Sequence, residues 1–478
     1  MTKPIKILLC VVGAVSAIVL LVVVALLLFF DINRYKPEVE TKLSSALGMQ
    51  VTIEGKLGLA LLHGLRVTLQ NVRVRNNDTE LAFVQATEVA IPFSALLQDE
   101  IVPSNITTQG ARIAIERNRA GKYNYEKLPA DIKRSRPLNL AKVSFTDLTV
   151  VYSDQQPDDR LEFSGCKGEL SDLQNPGGEP VMKHLSLNGQ FSCNELKGPG
   201  PDKNRVVTDV KFTVAAKAGI FEFDPITMQA YGGQGIATIR IDRSVDVPTV
   251  ALSAKLPTFR VESLLKPGAS GKSLSGLLTF SANLSMRGSS RLAMRQSAQG
   301  DMSLSGANLK LSGVDLDQQL QKFALSQNLN LLDLGALLFV GPISLVVSKG
   351  AELSRLTGQT ASSTSIRNVI SRWKLEKGVA HAVDVALTTN ENRLAVHGDL
   401  NFISDQYENV VVALVDANGC AKARQKVSGP FTKPIADQSN ILLPVGPLLK
   451  LLDGVKALFS GGLDQCDVFY SGSLPSPQ

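Results

Sequence analysis

The sequence predicts a mostly β protein behind one membrane-spanning helix, and two patterns carry that prediction. The first is a stretch of 24 uncharged residues between Lys6 and Asp31, "ILLCVVGAVSAIVLLVVVALLLFF". The second is strict alternation of apolar and polar residues, clearest at Leu278–Arg287, "LTFSANLSMR". There Leu278, Phe280, Ala282, Leu284 and Met286 alternate with Thr279, Ser281, Asn283, Ser285 and Arg287. A period of two is that of a strand with one greasy and one wet face.

As a helix the uncharged stretch would be about 36 Å long at about 1.5 Å per residue, enough to span a bilayer. It ends in Leu-Leu-Leu-Phe-Phe before Asp31, where a cleavable signal would place small residues, so an uncleaved anchor over residues 7–30 is expected. Lys3, Lys6 and the α-amine compete with Arg34 and Lys36 for the cytoplasmic side, and the reading puts residues 1–6 there as a short tail. The best second candidate, Leu334–Val347, is short and broken by Gly341-Pro342. One anchor therefore holds a large extracytoplasmic body.

After the anchor, Lys36–Leu47 reads as an amphipathic helix. Alternating runs then recur at Val206–Val214, Ile236–Asp242, Val250–Leu256, Leu278–Arg287, Met302–Leu311, Val383–Leu387 and Leu394–Phe402. Thr388–Arg393 ("TTNENR") and Arg287–Arg291 ("RGSSR") read as hairpin turns. Helix patterns are few: Phe93–Leu97, a piece beginning near Val261, Asp315–Leu338 and Pro444–Phe459. The last gathers Leu448, Leu451, Leu452, Val455, Leu458 and Phe459 on one face, suited either to capping the sheet's end or to facing a membrane or partner. A sandwich closes after about 100 residues, whereas this chain supplies one-sided strands for some four times that length. Serial sandwiches, a closed barrel and one long curved sheet remain open. The best breaks, near Asn175–Pro180 and Lys197–Pro201, both fall in the first half.

Composition narrows the function. A net charge of +6 with scattered basic residues gives no phosphate-neutralising patch, so no nucleic-acid partner is expected. His63, His184, His381 and His397 stand alone, with no HxH, HExxH or HxxE spacing. No GxSxG elbow, P-loop or dinucleotide fingerprint occurs. Tyr231–Gly235 ("YGGQG") leads into a strand, where a phosphate cradle would lead into a helix. Asp158 and Asp159 read as part of a solvated loop. No enzyme, metal or cofactor is expected. Cys10 lies in the anchor, and the remaining four cysteines allow three pairings. Proximity favours Cys166 with Cys193 and Cys420 with Cys466, against the alternative of four buried thiols.

Three blocks carry a family resemblance. They are "DINRYKPEVETKLSSALGMQVTIEGKLGL" with "LRVTLQNVRVRN"; the Tyr231-Gly232-Gly233 step with its paired strands; and "SLSGLLTFSANLSMRG" through "LAVHGDLNF". Their order and spacing resemble the AsmA family of bacterial envelope proteins. The resemblance implies an N-terminal β region over 31–200 and a C-terminal one over 201–478, in one long, curved, largely antiparallel sheet forming an open apolar groove. It further implies a bacterial inner-membrane protein with a periplasmic body that binds or conducts phospholipid for outer-membrane homeostasis and biogenesis. Its partners would be acyl chains, the inner membrane and outer-membrane or envelope proteins. On that reading Leu278, Phe280, Ala282, Leu284, Met286, Leu309, Leu311, Val396 and Leu400 line the groove. The alternative is an envelope scaffold or assembly factor for outer-membrane proteins, its apolar strand faces closed in an ordinary core.

Overall fold

The computed structural model describes residues 31–47, 49–61, 64–76, 79–94, 103–119, 122–125, 138–155, 158–176, 181–198, 206–264, 273–320, 338, 362–437, 440–441, 466 and 468–477. The expected tail and anchor, the helix at Pro444–Phe459, most of Asp315–Leu338 and part of Phe93–Leu97 lie outside them. Among the described residues no helix is long and apolar enough to cross a membrane. The chain is mostly strand with few short helices, as the alternation predicts. It divides into two compact units, Met1–Gly198 with Thr213–Ala218, and Pro199–Phe212 with Gly219–Gln478.

Unit 1 opens with Asp31, whose side chain caps a short turn, and the helix α1 (Lys36–Leu47). Its strands are β1 (Gln50–Ile53), β2 (Leu57–Leu61), β3 (Leu65–Asn76), β4 (Thr79–Ile91), β5 (Asn105–Arg117), β6 (Leu138–Gln155), β7 (Asp158–Asn175) and β8 (Ser186–Lys197). The ladders are antiparallel except β5–β6, which is parallel. The connection across residues 118–137 is long enough to return the chain to the starting end. An exposed β1 edge would invite pairing with other chains, and side chains from the preceding segment occupy its donors instead. The N–H groups of Val51, Ile53 and Leu57 donate to Ser44 Oγ, Glu40 Oε1 and Asn33 Oδ1 at 2.9, 2.6 and 2.9 Å. Ile32, Val39 and Leu43 pack on Val51, Ile53, Leu57, Leu69 and Val72 beneath. A buried disulfide joins Cys166 on β7 to Cys193 on β8, with Cα atoms 3.9 Å apart.

Unit 2 contains β10 (Ile220–Ala230), β11 (Gly233–Asp242), β12 (Thr249–Arg260), β13 (Ser273–Ser275), β14 (Leu277–Arg287), β15 (Gln299–Ser312), β16 (Ser363–Glu376), β17 (Val379–Thr388), β18 (Arg393–Asn401), β19 (Gln406–Val415), β20 (Ala421–Pro430) and the short β21 (Ile435–Ala436) and β22 (Asn440–Ile441). β9 (Val206–Lys217) contributes residues to both units. Successive long strands pair antiparallel from β10 to β20, with β13 a short interruption. Thr388–Arg393 forms the expected hairpin. Arg287–Arg291 does not close a tight turn: Ser290 caps a helix over Arg291–Ser297 by accepting from Ala293 N at 3.1 Å. The expected short helix begins at Val261.

Simple parity fails inside the long strands, and the backbone shows why. On β3, Val67 and Val74 are seven residues apart, an odd spacing that plain alternation would split between faces, yet both pack on one cluster. Between them Asn71 has φ 52°. On β15, Met302, Leu304, Leu309 and Leu311 share one cluster across Asn308 at φ 54°, and on β19 Tyr407 and Val410 do so across Asn409 at φ 50°. One left-handed residue absorbs the odd step and keeps the greasy face continuous around a bend. Asn tolerates that conformation better than most side chains because it can hydrogen-bond locally.

Candidate functional site

Register turns the one-sided strands into apolar rows that cross the sheet. In unit 2 one row runs Phe223, Ile239, Leu252, Leu284, Gly300, Leu375, Ala380, Leu400, Tyr407, each opposite the next. A second runs Phe259, Leu278, Gly306, Val369, Leu387, Leu394, Leu414, Ala423. Apart from the Tyr407 hydroxyl at the end of the first, neither row contains a polar side-chain group. At about 4.8 Å per strand the first is about 38 Å long. Unit 1 repeats the device: Leu59, Val67, Val89, Ile106, Val143, Leu170 and Gly189 lie opposite one another across seven strands.

Cover over the first unit 2 row is graded. Phe223, Ile239, Leu252 and Leu284 are half-buried, whereas Leu375, Ala380, Leu400 and Tyr407 are buried. An open cavity of about 520 Å³ lies over the same strands, but its lining is mostly polar: Glu222, Thr238, Arg240, Ser253, Asn283 and Ser285, which alternate with Ile239, Leu252 and Leu284 and so belong to the opposite face of the sheet. Gly300 stands between the halves at φ +139°, where a Cβ would lie 1.9 Å from Asn283 O. No larger residue fits there.

Among the described residues between β15 and β16, four join the cluster of the closed half. Val314, Leu316, Leu320 and Leu338 are fully buried against Ile366, Val369, Trp373 and Leu400. Two inward-facing hydroxyls peg this cover to the sheet. Thr364 Oγ1 accepts from Leu316 N at 2.7 Å and donates to Val314 O at 2.8 Å. Ser371 Oγ donates to Leu338 O at 2.7 Å and accepts from Trp373 Nε1 at 2.7 Å. A hydroxyl in an apolar row is costly unless satisfied; both are.

Of the nine residues expected to line an open groove, Leu278, Ala282, Leu309, Leu311, Val396 and Leu400 are buried in this closed cluster, with Val396 1% and Leu400 0% exposed. Phe280 and Leu284 are half-buried and pack on its margin, and Met286 is half-buried. The six were expected to be open because their alternation reports one greasy face and is silent on what lies over it. The accessible greasy surface is displaced toward β10–β12, through Phe223, Ile239 and Leu252, which sequence reasoning did not single out. Their signal was alternation in the preceding runs.

The back of the closed half is covered too. Ala386, Ala395, Ala413 and Val415 form a second cluster with Phe469 and Tyr470 from the C-terminal segment. The uninterrupted run "VVVALV" at Val410–Val415 is the signal for a strand buried on both faces. Cys420 and Cys466 are disulfide-bonded with Cα atoms 5.9 Å apart, so both pairings favoured by proximity hold. His381 Nδ1 is 2.7 Å from Asp399 Oδ1, and His397 stacks on Phe469. Among the described residues no three His, Cys, Asp or Glu side chains are grouped to hold a metal ion.

The family model for AsmA matches residues 1–162 and 203–385. The chain belongs to the AsmA family. Its AsmA opening, "DINRYKPEVETKLSS", is the segment whose Asn33, Glu40 and Ser44 occupy the edge donors of β1 and β2. The third AsmA-like block supplies β14 and β15, where the open and closed halves of the first row meet, and β17 and β18 of the closed half. AsmA is not known as an enzyme family. No curated protein matches the chain.

Proposed function

We propose that this AsmA protein is a non-enzymatic, inner-membrane-anchored periplasmic protein that binds phospholipid by laying acyl chains along the half-open rows of unit 2. The observation that carries the reading is the unbroken apolar row from Phe223 to Tyr407, half-buried over its first four members. Hydrocarbon needs area without directional bonds, at about 25 cal/mol per Å² buried. A row of Phe, Ile and Leu with no hydrogen-bonding group offers that. Because the far half is sealed, lipid would enter and leave through the β10–β14 side. AsmA membership and the uncharged N-terminal stretch support the envelope setting, with a role in outer-membrane lipid homeostasis. The scaffold reading is favoured by the sealed half, which is ordinary dry core. Detergent-free purification of the full chain in lipid nanodiscs, followed by native mass spectrometry, separates them. The lipid reading expects phospholipid that stays with the protein when it is ejected from the disc; the scaffold reading expects none.

A further inference from the structure

We infer that the back of β17–β19 is a peptide-binding site whose resident ligand is the chain's own C-terminal segment, residues 468–474, and that the Cys420–Cys466 disulfide is its lock. The dock is built for a peptide. Gly419 O accepts from both Phe469 N and Tyr470 N, at 2.9 and 3.0 Å, in the turn where Val468 bridges Cys420. Gly419 lies at φ +84°, and a Cβ there would sit 2.0 Å from Tyr470 O. Asp416 fixes that turn, its Oδ1 accepting from Asn418 N and Cys420 N at 2.9 and 2.8 Å. The Phe469 ring rests over the alanines of the back row between His397 and the Arg424 guanidinium.

Charged groups in the dock are spent on the segment. Asp384, 4% exposed, accepts from Tyr470 Oη at 2.7 Å and from Ser473 N and Oγ at 3.1 and 2.6 Å, and pairs with Arg372. Arg393, 5% exposed, donates to Leu474 O at 2.9 Å and to Asp416 O at 2.7 Å, with its guanidinium over the Tyr470 ring. Buried charges that take Tyr470, Ser473 and Leu474 of a separate, disulfide-tethered segment as partners, beside Arg372 and Asp416 of the sheet, are what a ligand site shows. An ordinary back face would carry apolar or solvated side chains.

The lock works through tether length. With the disulfide formed, Phe469 is three residues from an anchor; with it broken, the nearest preceding sheet residue among the described residues is Ile441, 28 residues away. Effective concentration falls roughly as the −3/2 power of tether length, so opening the bond lowers the equilibrium constant for docking about 30-fold. A dithiol reductant supplies two electrons and two protons: the S–S bond breaks, two thiols form, and the reductant closes its own disulfide.

Asp384 adds a pH dependence. Burial pushes its carboxyl upward, but the Ser473, Tyr470 and Arg372 donors outweigh burial and hold it below the ordinary aspartate range. Burial and the Asp384 hydrogen bond push Tyr470 up to about 12, so its hydroxyl remains a donor at neutral pH. A depressed carboxylate stabilises the docked state above the ordinary value of 3.8 and loses that contribution as pH falls through its folded value. The protection of the amides in residues 468–474, measured against their intrinsic exchange rate at each pH, is therefore expected to fall below about pH 4, and Asp384→Asn to remove that dependence.

The test uses the full-length chain with Cys166→Ser and Cys193→Ser, so that one disulfide responds. Fluorescence polarisation follows a labelled peptide of residues 468–477 added in trans, before and after dithiothreitol. Binding that is absent in the oxidised chain, saturable in the reduced chain and lost with Phe469→Ala in the peptide is the expected result. A reduced chain that still excludes the peptide, with residues 468–474 as protected from hydrogen exchange as before, would overturn the lock. Peptide binding that ignores Phe469→Ala would overturn the site.

Discussion

Leu400→Asp is expected to unfold unit 2, whereas Leu252→Asp is expected to leave it folded and strip it of bound lipid. Both leucines belong to the same row, Leu400 three strands to one side of Gly300 and Leu252 two strands to the other. Leu400 is 0% exposed, so the change removes packing worth about 2–5 kcal/mol and buries a carboxylate with no partner. The sum is comparable to the about 5–15 kcal/mol that holds a typical domain together. Leu252 is only half-buried, so a carboxylate there reaches water and costs about 1 kcal/mol. Circular dichroism melts of both variants, with lipid phosphorus assayed on the purified protein, check the pair. A Leu252→Asp chain that unfolds like Leu400→Asp would mean that the whole row is dry core.

Trp373→Ala is expected to destabilise unit 2 by about 3–5 kcal/mol. Trp373 is the chain's single tryptophan and 1% exposed. It lies between Met302 and Ala382 on a row parallel to that of Leu400. Its indole N–H also satisfies Ser371, the hydroxyl that holds Leu338 over the closed half. Removing the ring therefore opens a cavity and frees one peg of the cover. At about 2–4 °C per kcal/mol for a unit of this size, calorimetry should show unit 2's transition lowered by about 6–20 °C. Trp373→Phe keeps most of the packing and should lose about 1 kcal/mol, the net worth of one hydrogen bond.

Strand content was legible in the sequence because one-sided burial writes a period of two. That period does not say which strands are covered by something distant in the chain. Leu284 and Leu400 look alike in sequence; Val314, Leu316, Leu320 and Leu338 make them different. Parity was misleading where Asn71, Asn308 and Asn409 adopt the left-handed conformation, since an Asn in a strand reads simply as a polar position. The parallel β5–β6 pair was hidden because parallel and antiparallel partners show the same alternation. The C-terminal dock had a local signal in "VVVALV", an apolar run on both parities, but its occupant lies some fifty residues further on. The AsmA opening was recognisable from residue order, while the structure supplies the reason for that order: the side chains of Asn33, Glu40 and Ser44 are spaced to meet the N–H groups of β2 and β1.

The claim that unit 2 holds acyl chains on the open half of its rows is tested most directly by photocrosslinking. Full-length protein in vesicles containing phospholipid with a diazirine in one acyl chain is irradiated, and adducts are located by peptide mass spectrometry. Adducts on the peptides carrying Phe223, Ile239, Leu252 and Leu284, with none on those carrying Val396 and Leu400, are the predicted result. Adducts confined to the N-terminal uncharged stretch, or spread equally over both halves of the rows, would contradict it.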